Sequence, residues 1–208
     1  MTAALLTLAD SRLPSGGHTH SGGVEQAITD GLVRDPGTLD AFLRRRLHTS
    51  GAVAAGLAAA ACGDGQLDRL DVEADARTPS PALRAASRQQ GRGLVRVGRQ
   101  AWPGGRWDEL PERPHHAVAL GVAAAAAGLT PRDAAHAAAY LSVSGPATAA
   151  QRLLAMDPLT VAAVTARLAP AIDAVADRCV DGLRADADVL MDLLAEVHAA
   201  RKDRFFAS

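Results

Sequence analysis

A chain of 208 residues that is 48% hydrophobic carries enough apolar material for one domain with a buried core. Its 22 basic and 23 acidic residues leave a net charge of −1, which argues against nucleic acid or an anionic membrane surface as partner. Cys62 and Cys179 form neither a CxxC nor a four-ligand zinc pattern and read as buried thiols. No GxxxxGK[ST], HExxH, GxSxG or EF-hand pattern occurs, so no motif-borne enzyme chemistry is signalled and any nucleotide must be held by a partner.

Met1 to Asp10 is too short for a signal peptide and lacks its basic flank. Apolar runs such as Ala52 to Cys62 fall short of the ~20 residues of a membrane span, which points to the cytoplasm. From Asp10 to Glu25 the Ala- and Leu-rich pattern gives way to a dense loop. Pro14 fixes φ, while Gly16-Gly17 and Gly22-Gly23 open conformations closed to other residues, so a shaped turn is predicted. His18 and His20, with Ser21 and Glu25 behind them, offer imidazole and carboxylate groups that suit nickel or zinc. Further ligands would have to come from elsewhere in the fold, and a packing role for the same residues stays open.

The rest of the chain reads as all-α, a single bundle of about nine or ten helices punctuated by Pro and Gly. Asp35-Pro36 starts a helix that runs through the Ala-rich stretch to Gly63. Ser80-Pro81 starts another, carrying Leu83, Ser87, Gly91 and Leu94 toward a weak point at Gly98. Trp102 to Pro114 reads as a loop, and His115-His116 as polar residues opening a helix that ends at Gly128. Thr130-Pro131 with Asp133 has the form of a capping box. Ser144-Gly145-Pro146, Asp157-Pro158 and Ala169-Pro170 mark further boundaries, and Asp186 to Phe206 carries Val189, Leu190, Leu193, Leu194 and Val197 at helical spacing.

Near the end, His198 reads as a hydrogen-bonding histidine at a contact surface, and Phe205-Phe206 as either a docking surface or part of the chain's own core. Arg152, Arg201 and Arg204 sit beside apolar residues, where a guanidinium can bridge a partner's carboxylates or phosphates. Lys202 is the single lysine of the chain.

The order of these motifs resembles the urease accessory protein UreF family over essentially the full length. Asp10, Ser11, Pro14, Gly16, Gly17, His20, Ser21 and Glu25 match its Asp-Ser, Pro-x-Gly-Gly, aromatic-x-His/Tyr-Ser-x-Gly-x-Glu run, with His18 where the family usually has phenylalanine. Ser87 and Gly91 match a Ser-x-x-x-Gly helix motif, His116 to Gly121 a His-x-Val-x-x-Gly segment, and Ala149 to Leu153 an Ala-x-Arg-Leu element. His198 and Arg204-Phe-Phe-Ala-Ser208 are similar to a His-Glu and Arg-Leu-Phe-x-Ser tail; Ala199 replaces the glutamate, and Met156-Asp157 replaces Leu-Gly-Gln.

The resemblance implies a non-enzymatic all-α chaperone that forms a homodimer and joins the D/H-type urease accessory protein and the GTPase UreG to deliver nickel to apo-urease. GTP would be bound by the partner, nickel would transit the complex, and this chain would hold no tight cofactor. Residues 1–208 form one domain in this reading, with 1–25 a motif segment and 199–208 a docking tail. Arg152, His198, Arg201, Lys202, Arg204, Phe205 and Phe206 would contact partners. Either an arginine such as Arg152, or Lys202, would stabilise charge at the GTPase's nucleotide site, or the chain would restrain the GTPase or pass nickel between subunits. The alternatives are a metal-binding helical enzyme or small-ligand binder built on His18, His20 and Glu25, and an unrelated helical interaction domain.

Overall fold

The computed structural model describes residues 3–10, 12–15 and 17–208, with His18 described in its backbone alone. Ser11, Gly16 and the His18 side chain, all singled out above, lie outside the described residues. Ten α-helices follow one another: α1 (Ala3–Ala9), α2 (Val24–Thr29), α3 (Pro36–Arg46), α4 (Ala52–Cys62), α5 (Leu67–Ala76), α6 (Pro81–Ala101), α7 (His116–Ala126), α8 (Pro131–Leu153), α9 (Pro158–Cys179) and α10 (Val189–Ala200). A π-helical turn, Leu47–Gly51, joins α3 to α4, so nine separate rods are present among the described residues, and no strand.

Local chemistry starts most of them. Asp35 caps α3 in a reciprocal box with Thr38, and Thr130 does the same for α8 with Asp133. Ser80 caps α6 and Asp157 caps α9, each with proline in the first turn, so the departure at Met156-Asp157 has a local role as a helix start.

The centre of the bundle is α4, packed against α7, α8 and α9. Both α4 and α7 are apolar on all sides and buried on nearly all, the pattern of helices at the middle of a core. Their small residues let backbones touch: a Cβ on Gly121 of α7 would lie 2.4 Å from the Ala58 carbonyl oxygen and 2.6 Å from the Ala61 Cβ of α4. Cys179 is buried and Cys62 partly so, both as free thiols.

Two proline boundaries expected above are absent. Pro146 lies inside α8 and Pro170 inside α9. A helical proline strips the carbonyl four residues back of its donor. In α8 that carbonyl belongs to Ser142, and Arg46 Nε replaces the missing N–H at 3.0 Å. In α9 it belongs to Ala166, which lies on the exposed face, where solvent can take the donor's place. Likewise α6 continues past Gly98, because the Trp107 ring packs where a Cβ would be, only 2.2 Å from it. The last helix is shorter than expected: α10 stops at Ala200 and the tail leaves it extended. By length and composition α9 could cross a membrane, with a mean hydropathy of 1.5. It is a two-sided helix here, burying Val161, Val164, Leu168, Ile172 and Val175 and exposing Arg167, Asp173, Asp177 and Arg178.

Candidate docking site

The N-terminal loop and the C-terminal tail, at opposite ends of the sequence, form one structure. Gly22 and Gly23 take φ of 62° and 89°, a left-handed pair that turns the loop into α2 and places Glu25 in its first turn. The Glu25 carboxylate, 2% exposed, then holds the tail. Its Oε1 accepts from the Phe205 N–H at 2.8 Å, and its Oε2 from the Phe206 N–H at 3.0 Å and His198 Nε2 at 2.9 Å. Burial pushes this carboxyl up, but the His198 hydrogen bond and the two backbone donors outweigh it and hold the group below the usual carboxylate range.

Other contacts complete the seam. His20 Nδ1 meets Ser208 Oγ at 2.6 Å, Ser21 N–H donates to the Ser208 carbonyl at 2.5 Å, and Ala207 N–H donates to Thr19 at 2.8 Å. Arg201 reaches across to α2, giving hydrogen bonds to Gln26 and Thr29, and also pairs with Asp203. Arg204 is exposed and touches the Ala199 carbonyl at 3.4 Å. Lys202 is exposed and has no ion partner among the described residues.

Phe206 packs against the core, while Phe205 is 85% exposed. Exposed Val189, Leu193 and Val197 share one face of α10 at four-residue spacing, so an apolar stripe precedes the exposed ring. His198, expected at a contact surface, is instead buried and hydrogen-bonded inside the seam. Arg152 stands apart on the last turn of α8, exposed, and lines a groove that His20 and Phe206 also border. Pro14 and Gly17 belong to the loop, and the Glu25 and His20 side chains both bond to the tail.

A second polar cluster was not signalled by sequence motifs. Asp71 and Asp75, one turn apart on α5, and His115 bring candidate ligand atoms within 4.8 Å of one another. Arg88 closes the cluster, donating to Asp71 and Asp75 at 2.8 and 2.7 Å, while Asp71 also accepts from the His115 N–H and Asp75 contacts His115 Nε2. All four carboxylate oxygens are thus engaged, which makes this a structural pin between α5, α6 and α7. Ser87 belongs to it, its Oγ lying 3.0 Å from His115 Nδ1 and accepting from the His116 N–H. Gly91 leaves room for the Pro114 carbonyl, 2.0 Å from where its Cβ would be. The Ser-x-x-x-Gly spacing is therefore the seat of the α7 entry. The i, i+4 pair of Asp71 and Asp75 was a readable signal, though Arg88 and His115 as its partners were not.

Burial, with a smaller contribution from nearby His20, pushes the His116 imidazole down to about 4. Between pH 6.5 and 4 the unfolded chain then binds more protons than the folded one, so stability is full above that window and falls as pH drops through it. Urea unfolding midpoints across this range are expected to reveal a loss of about 2–3 kcal/mol that His116→Gln removes. Parallel pH profiles for the two proteins would rule out His116 as the source.

The UreF family pattern matches residues 33–169. Urease accessory protein UreF of Mycobacterium marinum is 54% identical over 207 residues, covering 99% of this chain and 98% of that protein. The protein of the same name from Mycolicibacterium vanbaalenii is 53% identical over 214 residues, with 99% and 98% covered. That from Mycobacterium tuberculosis is 49% identical over 207 residues, again with 99% and 98% covered. Agreement of this depth across nearly every residue, on an all-α bundle with the motif loop and tail in place, establishes that the chain belongs to the UreF urease accessory protein family.

Proposed function

We propose that this chain is a cytoplasmic, non-enzymatic scaffold that joins the D/H-type urease accessory protein to the GTPase UreG and so supports GTP-dependent delivery of nickel to apo-urease. The observation that carries the reading is the nearly full-length match, at 53–54% identity, with urease accessory proteins UreF. The seam adds a physical means. Glu25 presets the tail, which lowers the ordering cost of binding, and Phe205 with the α10 stripe of Val189, Leu193 and Val197 supplies an apolar face for the D/H-type protein. Lys202, Arg204 and Arg152 offer exposed cations at the edges of such a complex, and a homodimer would present two copies of each. In this reading nickel is cargo and GTP stays with the GTPase.

Deleting the gene in a urease-producing host is expected to leave abundant, nickel-poor and inactive urease, checked by immunoblot, metal content and activity with and without added nickel. Fully active urease in the deletion strain would reject the role. Phe205→Ser should reduce co-purification of the D/H-type protein at least tenfold without changing the thermal midpoint; undiminished capture would move the interface elsewhere.

A further inference from the structure

Pro146 does more than bend α8. By freeing the Ser142 carbonyl it fixes Arg46, whose Nε bond there holds the guanidinium beneath Gly22, with Cζ 3.1 Å from where a Cβ on that glycine would sit. The terminal nitrogens of Arg46 have no carboxylate and no other hydrogen-bond partner among the described residues. Two further helices line the same space with polar side chains: Gln90 from α6 and His116 from α7. Neither side chain has a hydrogen-bond partner among the described residues.

The space they border is a cavity of about 180 Å³. One water needs only about 10–15 Å³ by this measure, so a small polyatomic ion has room. Asp186, Asp188, Asp192 and Ser208 also line it; Asp186 pairs with Arg184 and Asp188 with Arg45, while Asp192 has no ion partner among the described residues. None of the three aspartates lies within ion-pair distance of Arg46. A guanidinium favours two parallel N–H contacts to oxygen, an amide adds a donor, and a neutral imidazole adds one more.

We propose that this cavity is a binding site for a small oxyanion, held by the terminal nitrogens of Arg46 and by N–H groups of Gln90 and His116. The Arg46 guanidinium is part-buried with its terminal nitrogens unpaired, and it stays charged at neutral pH although burial lowers it to about 10. The central cation opposes a metal ion in the same place. Gly22 admits the ion-bearing guanidinium because it has no side chain, which gives the second glycine pair of the loop a chemical role besides its turn.

The test is isothermal titration of the full chain with formate and with inorganic phosphate at constant ionic strength, using chloride as the control. A saturable isotherm with one site per chain is expected for formate, phosphate or both, and the pair separates planar from tetrahedral oxyanions. Arg46→Gln should weaken binding at least tenfold, and Gln90→Ala a few-fold. Because Arg46→Gln also withdraws the donor from Ser142, Gln90→Ala, which leaves that bond intact, decides the matter should the first variant fail to fold. Absence of saturable binding to either anion, or affinity unchanged in the folded variants, overturns the site.

Discussion

Glu25→Ala is expected to release the C-terminal tail and to cost about 3–5 kcal/mol of stability, since each buried donor left without its acceptor costs about 1–3 kcal/mol. The loss is large because three donors depend on one carboxylate. Without it the His198 imidazole, 2% exposed, and the Phe205 and Phe206 amides lose their acceptor together. Amide hydrogen exchange should report it first, as a collapse of protection at Phe205 and Phe206, with urea denaturation giving the global cost. Glu25→Gln, which keeps one carbonyl acceptor but gains a donor, should fall between.

The same clamp has a pH signature. A carboxyl held below its ordinary value contributes stability that is complete above the unfolded pKa of about 4.3 and drains away as pH falls through the folded value. Tail protection should therefore be pH-independent near neutrality and fail only in acid, at lower pH than the His116 transition begins. If the two amides exchange equally in Glu25→Ala and wild type, the tail is held by other means, and the preset docking surface loses its basis.

Gly121→Val is the second large effect. Even a single carbon at this position would press on the Ala58 carbonyl oxygen, the Ala61 Cβ and the Cys62 nitrogen at 2.4, 2.6 and 2.9 Å. Two of these are backbone atoms of a helix buried on nearly every side, so nothing there can swing away, and α4 and α7 must separate. Overpacking costs about 1–3 kcal/mol where side chains can adjust, and this site sits at or beyond the top of that range. At roughly 2–4 °C per kcal/mol for a domain of this size, the thermal midpoint should fall by about 6–12 °C. Gly37→Ala is the control, since the nearest atom to its added carbon is Asp35 Oδ1 at 3.4 Å. A Gly121 variant as stable as that control would refute backbone contact between α4 and α7.

Helix starts were readable in the sequence because a cap is settled within four residues. Asp35 with Thr38, Thr130 with Asp133 and Asp157 ahead of Pro158 satisfy their own first-turn N–H groups, and any chain with those neighbours would do the same. The all-α class and the family likeness followed from the same local order. Interior prolines obey a different logic. Pro146 reads as a stop until the carbonyl it frees finds Arg46, 96 residues away in the chain. Whether Phe205 or Phe206 would face outward depended on Glu25, which accepts the Phe205 amide from 180 residues away and takes His198 into the core. Sequence motifs named Glu25, His20, His198 and the tail, but as separate features. Their union is a long-range hydrogen-bond match among buried groups, and such matches are decided by where the packed helices leave polar atoms without water, which only the tertiary structure determines.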